Sequence, residues 1–187
     1  MPLLQIIIAS TRPGRVGMPV GTWVEAAARD HGAFDVELID LAEVGLPLMD
    51  EPNHPRLKQY MHPHTIDWSR TIERADAFVL VHPEYNYSFT APLKNALDYL
   101  HVEWAYKPVS FVSYGGISGG LRAVQGLKQV VTTLRMVPTV EAVPIPFVGQ
   151  HINDDGEFVP TEVMITGANA MFAELRRLAD VLTPLRG

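Results

Sequence analysis

Short runs of β-branched and bulky apolar residues recur along the chain, separated by longer stretches in which apolar positions return every three or four residues. The runs are Leu3 to Ala9, Asp35 to Asp40, Ala77 to His82, Pro108 to Ser113, and Met136 to Val143. Each is short and continuously apolar at its centre, the pattern of a strand buried on both faces rather than of a half-exposed helix. The stretches between them predict helices over Val16 to Arg29, Thr65 to Ala75, Ala91 to Leu100, Gly120 to Leu134, and Glu162 to Leu182. In the first, Val16, Val20, Val24 and Ala27 or Ala28 share one face, and His31-Gly32 supplies a stop. In the third, Pro92 suits a first turn, and Leu93, Ala96, Leu97 and Leu100 follow at helical spacing. Strand and helix in alternation predict an α/β domain of five parallel strands joined by crossover helices.

Two segments break the pattern. Gly45 to Pro63 carries Pro47, Pro52, Pro55 and Pro63, and Pro144 to Pro160 carries the turn sequence Asn153-Asp154-Asp155-Gly156. Loops of this length in a compact domain are functional or mobile. No repeat or shift of composition divides residues 1–187, so one domain is expected.

Charge and composition narrow the chemistry. With 15 Lys plus Arg against 21 Asp plus Glu, the net charge of −6 lacks the long-range attraction that nucleic acid or an anionic membrane requires. The absence of cysteine excludes disulfides, thiolate metal sites, iron–sulfur clusters and every thiol nucleophile, so any redox role needs a borrowed cofactor. The apolar start, Met1 to Ile8, has no basic segment before it and soon meets Arg12, Pro13 and Arg15, which fits neither a signal peptide nor a membrane span. A cytoplasmic protein is expected. His54, His62 and His64 lie close in sequence, but only Glu51 and Asp67 accompany them, and no metal site is expected.

In open parallel sheets, ligands bind beyond the carboxyl ends of the strands. The first predicted strand is followed by Ser10-Thr11-Arg12-Pro13-Gly14-Arg15-Val16-Gly17. Hydroxyls, two guanidinium groups and glycines entering a helix amino terminus can hold a phosphate, or Ser10 or Thr11 can simply cap the helix while the arginines stay solvated. The loop is neither a Walker A sequence nor a Gly-x-Gly-x-x-Gly fingerprint. The third strand is followed by His82-Pro83-Glu84-Tyr85-Asn86-Tyr87-Ser88-Phe89, suited to offering backbone groups and aromatic faces to a planar ring, or to a plain proline-fixed turn. The fourth ends in Ser113-Tyr114-Gly115-Gly116-Ile117-Ser118-Gly119-Gly120, whose glycines allow close approach of a ligand. A phosphate cradle, a ring-facing loop and a glycine platform together suit a mononucleotide.

These segments resemble, in order, those of the NADPH-dependent FMN reductase family of flavodoxin-like proteins. The likeness is carried by Ser10-Thr11-Arg12, by Pro83-Glu84-Tyr85-Asn86 with Ser88 and Leu93-Lys94-Asn95-Ala96-Leu97-Asp98, and by Tyr114-Gly115-Gly116, and it spans Leu3 to Leu134. Ala9 stands where many members have glycine. The resemblance implies a flavodoxin-like three-layer sandwich with a five-stranded parallel sheet in the order 2-1-3-4-5. It implies that Ser10, Arg12 and Arg15, with the amides of Gly17 and Met18, bind the phosphate of FMN. Pro83, Glu84, Tyr85 and Asn86 would contact the ribityl chain and ring, and Ser113, Tyr114, Gly115 and Gly116 would line the ring. NADPH or NADH would be a transient co-substrate, a small molecule the electron acceptor, and a homodimer or homotetramer the assembly.

On this reading no side chain acts as acid or base, and the single site is used in ping-pong order. A flavodoxin-type electron carrier without direct NAD(P)H activity is the alternative. Gly116-Ile117-Ser118-Gly119-Gly120 also matches the Gly-x-Ser-x-Gly nucleophile pattern, with Glu141 and His151 following in chain order. A serine hydrolase, however, would leave the Arg12 loop and the Pro83 to Asn86 block without a purpose. A response regulator would need an acidic metal site where Ala9-Ser10 stands.

Overall fold

Four strands, β1 (Leu3–Ile8), β2 (Asp35–Asp40), β3 (Ala77–Pro83) and β4 (Pro108–Tyr114), lie parallel in one sheet. The computed structural model describes residues 1–186 and adds two short strands beside β4, namely β5 (Val137–Pro138) and β6 (Val143–Ile145). The order is β2-β1-β3-β4-β5, with β6 also pairing to β4. Ile8 lies level with Asp40 and Val81, and Pro83 with Tyr114, so the carboxyl ends of four strands meet at one edge.

Successive residues of each strand feed opposite cores, as a pleated strand buried on both faces requires. Phe78, Leu80, Val109 and Phe111 pack against α3 (Pro63–Glu73), α4 (Ala91–Asp98) and α5 (Leu121–Thr133). Leu4, Ile6, Val79, Val81 and Val112 pack on the other side, against α1 (Gly17–His31) and α6 (Glu162–Leu182). This is the expected three-layer sandwich. Its core includes Trp104, Tyr99, Phe78, Phe111 and Phe172, all essentially inaccessible to solvent. Among the described residues, no helix is long and apolar enough to cross a membrane.

The predicted strand from Met136 to Val143 is two pieces rather than one. Pro138 and Pro144 have no N–H to give to a ladder, and between them the chain leaves the edge of β4. The gap is bridged by hydroxyls: Ser110 Oγ and Thr139 Oγ1 donate to the Glu141 carbonyl at 2.6 and 2.8 Å. A short helix, α2 (Leu41–Val44), is absent from the sequence pattern, and the Asp40 side chain caps it by accepting from the Ala42 N–H at 3.0 Å. Helix α3 begins at Pro63, two residues earlier than its apolar spacing predicts, because proline fits a first helical turn.

The proline-rich segment between α2 and α3 is tied down. Asn95 Nδ2 donates to the Pro47 carbonyl at 2.7 Å, Tyr99 donates to Asp50 at 2.9 Å, and Glu51 accepts from the N–H groups of Met61 and His62. His62 and His64 stack at 5.2 Å, with His64 Nε2 at 2.9 Å from Asp50. Among the described residues, no group of three His, Asp or Glu side chains is arranged to hold a metal ion.

Candidate functional site

The loop after β1 enters α1 without a cap. Val16 at the N-cap makes no side-chain hydrogen bond and the first turn holds no acidic residue, so the positive end of the helix dipole and the N–H groups of Gly17 and Met18 are left without a cap, Pro19 having no N–H. Arg12 is exposed, and among the described residues its guanidinium has no hydrogen-bond or ion-pair partner. Arg15 is placed differently. Its guanidinium is clasped bidentately by Asp40 at the end of β2 and also donates to the Ser10 carbonyl. The pair holds the Asp40 carboxyl below the usual carboxylate range and raises Arg15 further. Of the two arginines, Arg12 is available to an anion and Arg15 braces the loop.

Gly17 explains how close the loop sits to the sheet. A Cβ there would lie 2.1 Å from Ser10 Oγ, 2.7 Å from the Tyr114 hydroxyl and 3.2 Å from Ile8 Cγ2. Tyr114 is 4% exposed and its hydroxyl donates to Ser10 Oγ at 3.1 Å. Its ring therefore supports the loop from beneath, on the α1 side of the sheet, instead of lying open as a stacking face. Burial pushes its phenol up to about 12. Met18 is half-buried within α1.

The loop after β3 closes into a tight turn. Tyr85 and Ser88 exchange both backbone hydrogen bonds, at 2.8 and 2.9 Å, around Asn86 (φ 49°) and Tyr87 (φ 70°). Two left-handed central residues make a type I′ turn, costly for a tyrosine. Pro83 is buried beneath, and Tyr85 and Tyr87 are exposed. Glu84 faces the neighbouring loop. Its N–H donates to the Tyr114 carbonyl at 2.9 Å, and its carboxylate accepts from Ser118 Oγ at 2.9 Å, from the Arg122 N–H at 3.2 Å and from the Arg122 guanidinium. Burial opposes ionisation, but the bonds from Arg122 and Ser118 outweigh it and hold the carboxyl below its ordinary value. Arg122 in turn lies over the Tyr87 ring at 3.8 Å.

The glycines after β4 divide into two pairs. Gly119 (φ 58°) and Gly120 (φ 84°) serve the fold, since a Cβ on Gly120 would lie 2.7 Å from Ser113 Cβ and 2.8 Å from the Tyr114 nitrogen. Ser113 belongs to the same turn, its Oγ donating to the Gly119 carbonyl at 2.7 Å. Neither Gly115 nor Gly116 has positive φ, and a Cβ would meet nothing within 4 Å at Gly116 and nothing closer than 3.5 Å at Gly115. Nothing within the fold requires glycine at these two positions. A flat ligand lying against their backbone would.

Ser10, Arg12, Arg15, Pro83, Glu84, Tyr85, Tyr114 and Gly115 converge on a cleft of about 130 Å³ at the carboxyl ends of β1, β3 and β4, joined by Val16 and Val148. Sequence reasoning missed Asp40 and Val148, and it missed that Arg122 pairs with Glu84. The register that sets β2 beside β1 is the signal for Asp40, but no spacing along the chain marks the other two. Ser118 does not stand as a nucleophile: its hydroxyl is given to Glu84 and receives the Gly120 N–H at 3.4 Å, whereas His151 packs near Phe158. The donor set fits FMN, with an uncapped helix terminus and a free guanidinium for the phosphate, and a side-chain-free strip for the ring.

Comparison with known proteins bears on the same residues. A family model described as NADPH-dependent FMN reductase matches residues 2–150. The chain is 41% identical over 149 residues to an NAD(P)H-dependent FMN reductase of Schizosaccharomyces pombe, covering 78% of this chain and 74% of the relative. It is 30% identical over 131 residues to an FMN-dependent NADPH-azoreductase of Staphylococcus saprophyticus, covering 70% and 68%. Among solved structures, the flavoenzyme NAD(P)H:(acceptor) oxidoreductase FerB of Paracoccus denitrificans superposes with a TM-score of 0.77 over 97% of this chain and 99% of the other at 18% identity, a likeness of fold. With three strand-end loops that suit a flavin mononucleotide and a match over most of its length, this chain belongs to the NADPH-dependent FMN reductase family.

Proposed function

We propose that this protein holds FMN across the carboxyl ends of β1, β3 and β4 and reduces small planar acceptors at the expense of NAD(P)H. The observation that carries the proposal is the uncapped start of α1 beside the unpartnered Arg12, above a loop that Gly17 lets settle onto Ser10 and Tyr114. In this reading Arg12, Ser10 and the first amides of α1 receive the phosphate, and Arg15 keeps the loop in shape through Asp40. The turn from Tyr85 to Ser88 and the strip at Gly115 and Gly116 flank the ring. Glu84 locks these two walls together.

The chemistry FMN supplies when bound is acceptance of a hydride from reduced nicotinamide and its release to an acceptor. The protein's own titratable groups nearby are already committed. Glu84 is ion-paired, the Tyr114 phenol is raised to about 12, and His82, fully buried at the end of β3, is lowered to about 4 and stays neutral. None is poised near neutrality, so none is assigned a proton-transfer role. The residues bind, orient and exclude water.

The platform beside Gly116 is exposed, and one open face serves nicotinamide and acceptor in turn. An azo compound or a quinone suits such a slot. Parallel lines in double-reciprocal plots of NADPH against an azo dye or quinone are expected, and intersecting lines would sink the shared-face order. Dependence of that activity on added FMN, and its loss in Arg12→Ala, tests the site itself. Turnover undiminished in Arg12→Ala at limiting FMN would count against it.

The assembly belongs to the same reading. Leu48, Leu57 and Met61 expose 83%, 57% and 65% of their surface in the segment before α3, and Leu48 lines a cleft with Thr11, Leu41 and Pro92. A homodimer or homotetramer would cover them, and full activity in a monomer on gel filtration would contradict it. A cytoplasmic setting, where reduced nicotinamide is supplied, suits the activity. A carrier working only through protein partners is the other reading, and direct NAD(P)H oxidation by the purified protein excludes it.

A further inference from the structure

Among the described residues, six other than glycine adopt left-handed backbone: Lys58, Asn86, Tyr87, Tyr106, Arg135 and Phe147. Such residues persist where the surrounding structure compels them, and they gather at functional sites. Asn86, Tyr87 and Phe147 belong to the walls of the candidate flavin site, where the Phe147 N–H donates to the Gly116 carbonyl. Lys58 (φ 51°), Tyr106 (φ 58°) and Arg135 (φ 61°) all line one other cavity, of about 550 Å³, at the opposite end of the sheet. It opens where the chain enters β3 and β4.

The charge of this cavity is out of keeping with the acidic chain. Lys58, Arg74, Lys107, Arg135 and Arg186 line it, against the carboxylates Glu73, Asp76 and Glu103. Asp76 is taken by Arg186 and the Leu3 N–H, Glu73 by Lys58, and Glu103 by Tyr60, Ser69 and the His101 N–H. Arg74 pairs with Glu37 outside the cavity. Among the described residues, two cations remain without a carboxylate partner. Lys107 is 5% exposed, yet among the described residues its ammonium is met only by the carbonyls of Ile72 and Glu73, at 2.8 and 3.0 Å, and by the Phe78 ring at 5.7 Å. Arg135, among the described residues, has no side-chain partner.

Arg135 also occupies a position that its backbone would give to glycine. It follows the last turn of α5, where the Met136 N–H donates to the Val131 carbonyl at 3.0 Å and the Arg135 N–H to that of Thr132 at 3.0 Å. At this left-handed position after a helix, glycine is the usual residue. The exposed Arg135 gives up backbone ease there, at the lining of a cavity that also holds the buried Lys107 ammonium.

We propose that this cavity is a second binding site, for a small phosphate-bearing anion gripped by Lys107 and Arg135. A compact ammonium and a forked guanidinium carried by two residues that line one cavity suit a tetrahedral group with several charged oxygens. The volume leaves room for a further moiety up to the size of a mononucleotide, with Tyr106 at the wall. The site is independent of the flavin reading. It uses other strand ends, other cations and no helix amino terminus.

Calorimetric titration of the FMN-loaded protein with inorganic pyrophosphate and with AMP tests it. Saturable one-to-one binding of at least one probe is expected, weakened about tenfold or more in Arg135→Gly. That variant relieves the left-handed backbone, so its melting temperature should hold or rise while affinity falls, a combination that general damage does not give. Arg12→Ala should bind the same probe unchanged, and it serves as the titrated protein if the chain takes up no FMN. Tighter binding of AMP identifies a nucleotide-like ester, and equal or tighter binding of pyrophosphate identifies the phosphate group alone as the ligand. No binding of either probe at about 5 mM, affinity unchanged in Arg135→Gly, or binding abolished by Arg12→Ala would overturn the proposal.

Discussion

Replacing Arg15 by alanine should destabilise the fold, whereas replacing its neighbour Arg12 should not. Arg15 donates to both oxygens of Asp40 and to the Ser10 carbonyl, and the two paired side chains are only 17% and 5% exposed. Removing one partner of a fully buried pair costs roughly 3–5 kcal/mol, because the charge left behind has neither water nor partner. Asp40 keeps the Ala42 N–H and Arg15 touches solvent, so screening reduces the expected loss to about 2 kcal/mol. With a urea m-value of about 2 kcal/mol/M, the midpoint should fall by about 1 M, while Arg12→Ala stays within about 0.5 kcal/mol of the parent. Equilibrium urea unfolding of the flavin-free protein, followed by far-ultraviolet circular dichroism, reads both. FMN affinity should show the reverse emphasis: Arg12→Ala loses charge-assisted bonds to phosphate worth about 1.5–3 kcal/mol, roughly 10- to 100-fold. The pH dependence carries a sign. Because Asp40 titrates lower in the fold than its ordinary 3.8, the clasp is fully present above that value and is lost as pH falls through the lower folded one. Arg15→Ala should lose the part of this acid dependence that the ion pair supplies, leaving the part that comes from the Ala42 N–H. An unchanged urea midpoint for Arg15→Ala, with FMN affinity falling as far as in Arg12→Ala, would refute the division of labour and make Arg15 a phosphate ligand.

The glycine pairs give a second contrast. Gly120→Ala places a Cβ 2.7 Å from Ser113 Cβ at φ 84°, and a loss of about 3 kcal/mol is expected in thermal or chemical unfolding. Gly116→Ala meets nothing within 4 Å and should leave stability unchanged while weakening FMN binding in a fluorescence titration. Arg122→Ala removes the partner of Glu84 and the cation over Tyr87. Because Arg122 is solvent-exposed the loss of stability should be small, and faster amide exchange at Tyr85 and Ser88, whose N–H groups close the turn, would report its loosening. His82 is lowered from 6.5 to about 4 by burial, so the unfolded chain takes up its proton first and stability should fall as pH drops from 6.5 toward 4. His82→Gln should flatten that slope by close to one proton, and an unchanged slope would show that His82 is not its source.

Much of the fold is legible in the sequence because parallel strands buried on both faces must be short and apolar throughout, as Ala77 to Val81 is. The split of the last predicted strand was foreshadowed only by Pro138 and Pro144, since the pairing that replaces the ladder runs through the hydroxyls of Ser110 and Thr139. Helix α2, four residues long, is too brief to show a period. At the site, the loops after β1, β3 and β4 do come together, but residue type did not reveal orientation. Tyr114 falls on the same face as Val112, the α1 face, and strand alternation alone could have turned its ring under the phosphate loop. Arg15 and Arg12 look alike until β2 is placed beside β1 and Asp40 reaches one of them. The four glycines likewise look alike until their φ angles and neighbours separate structural need from open surface.

The central claim is that the carboxyl edge of this sheet is a working flavin site. Its most direct test is the visible absorption spectrum of the purified protein after adding FMN and removing the excess, followed by anaerobic NADPH or NADH and then an azo dye or quinone. Retention of a flavin spectrum that bleaches with the nicotinamide and returns with the acceptor is the predicted result. Failure to retain FMN, or a retained flavin that neither NADPH nor NADH reduces, would contradict the account.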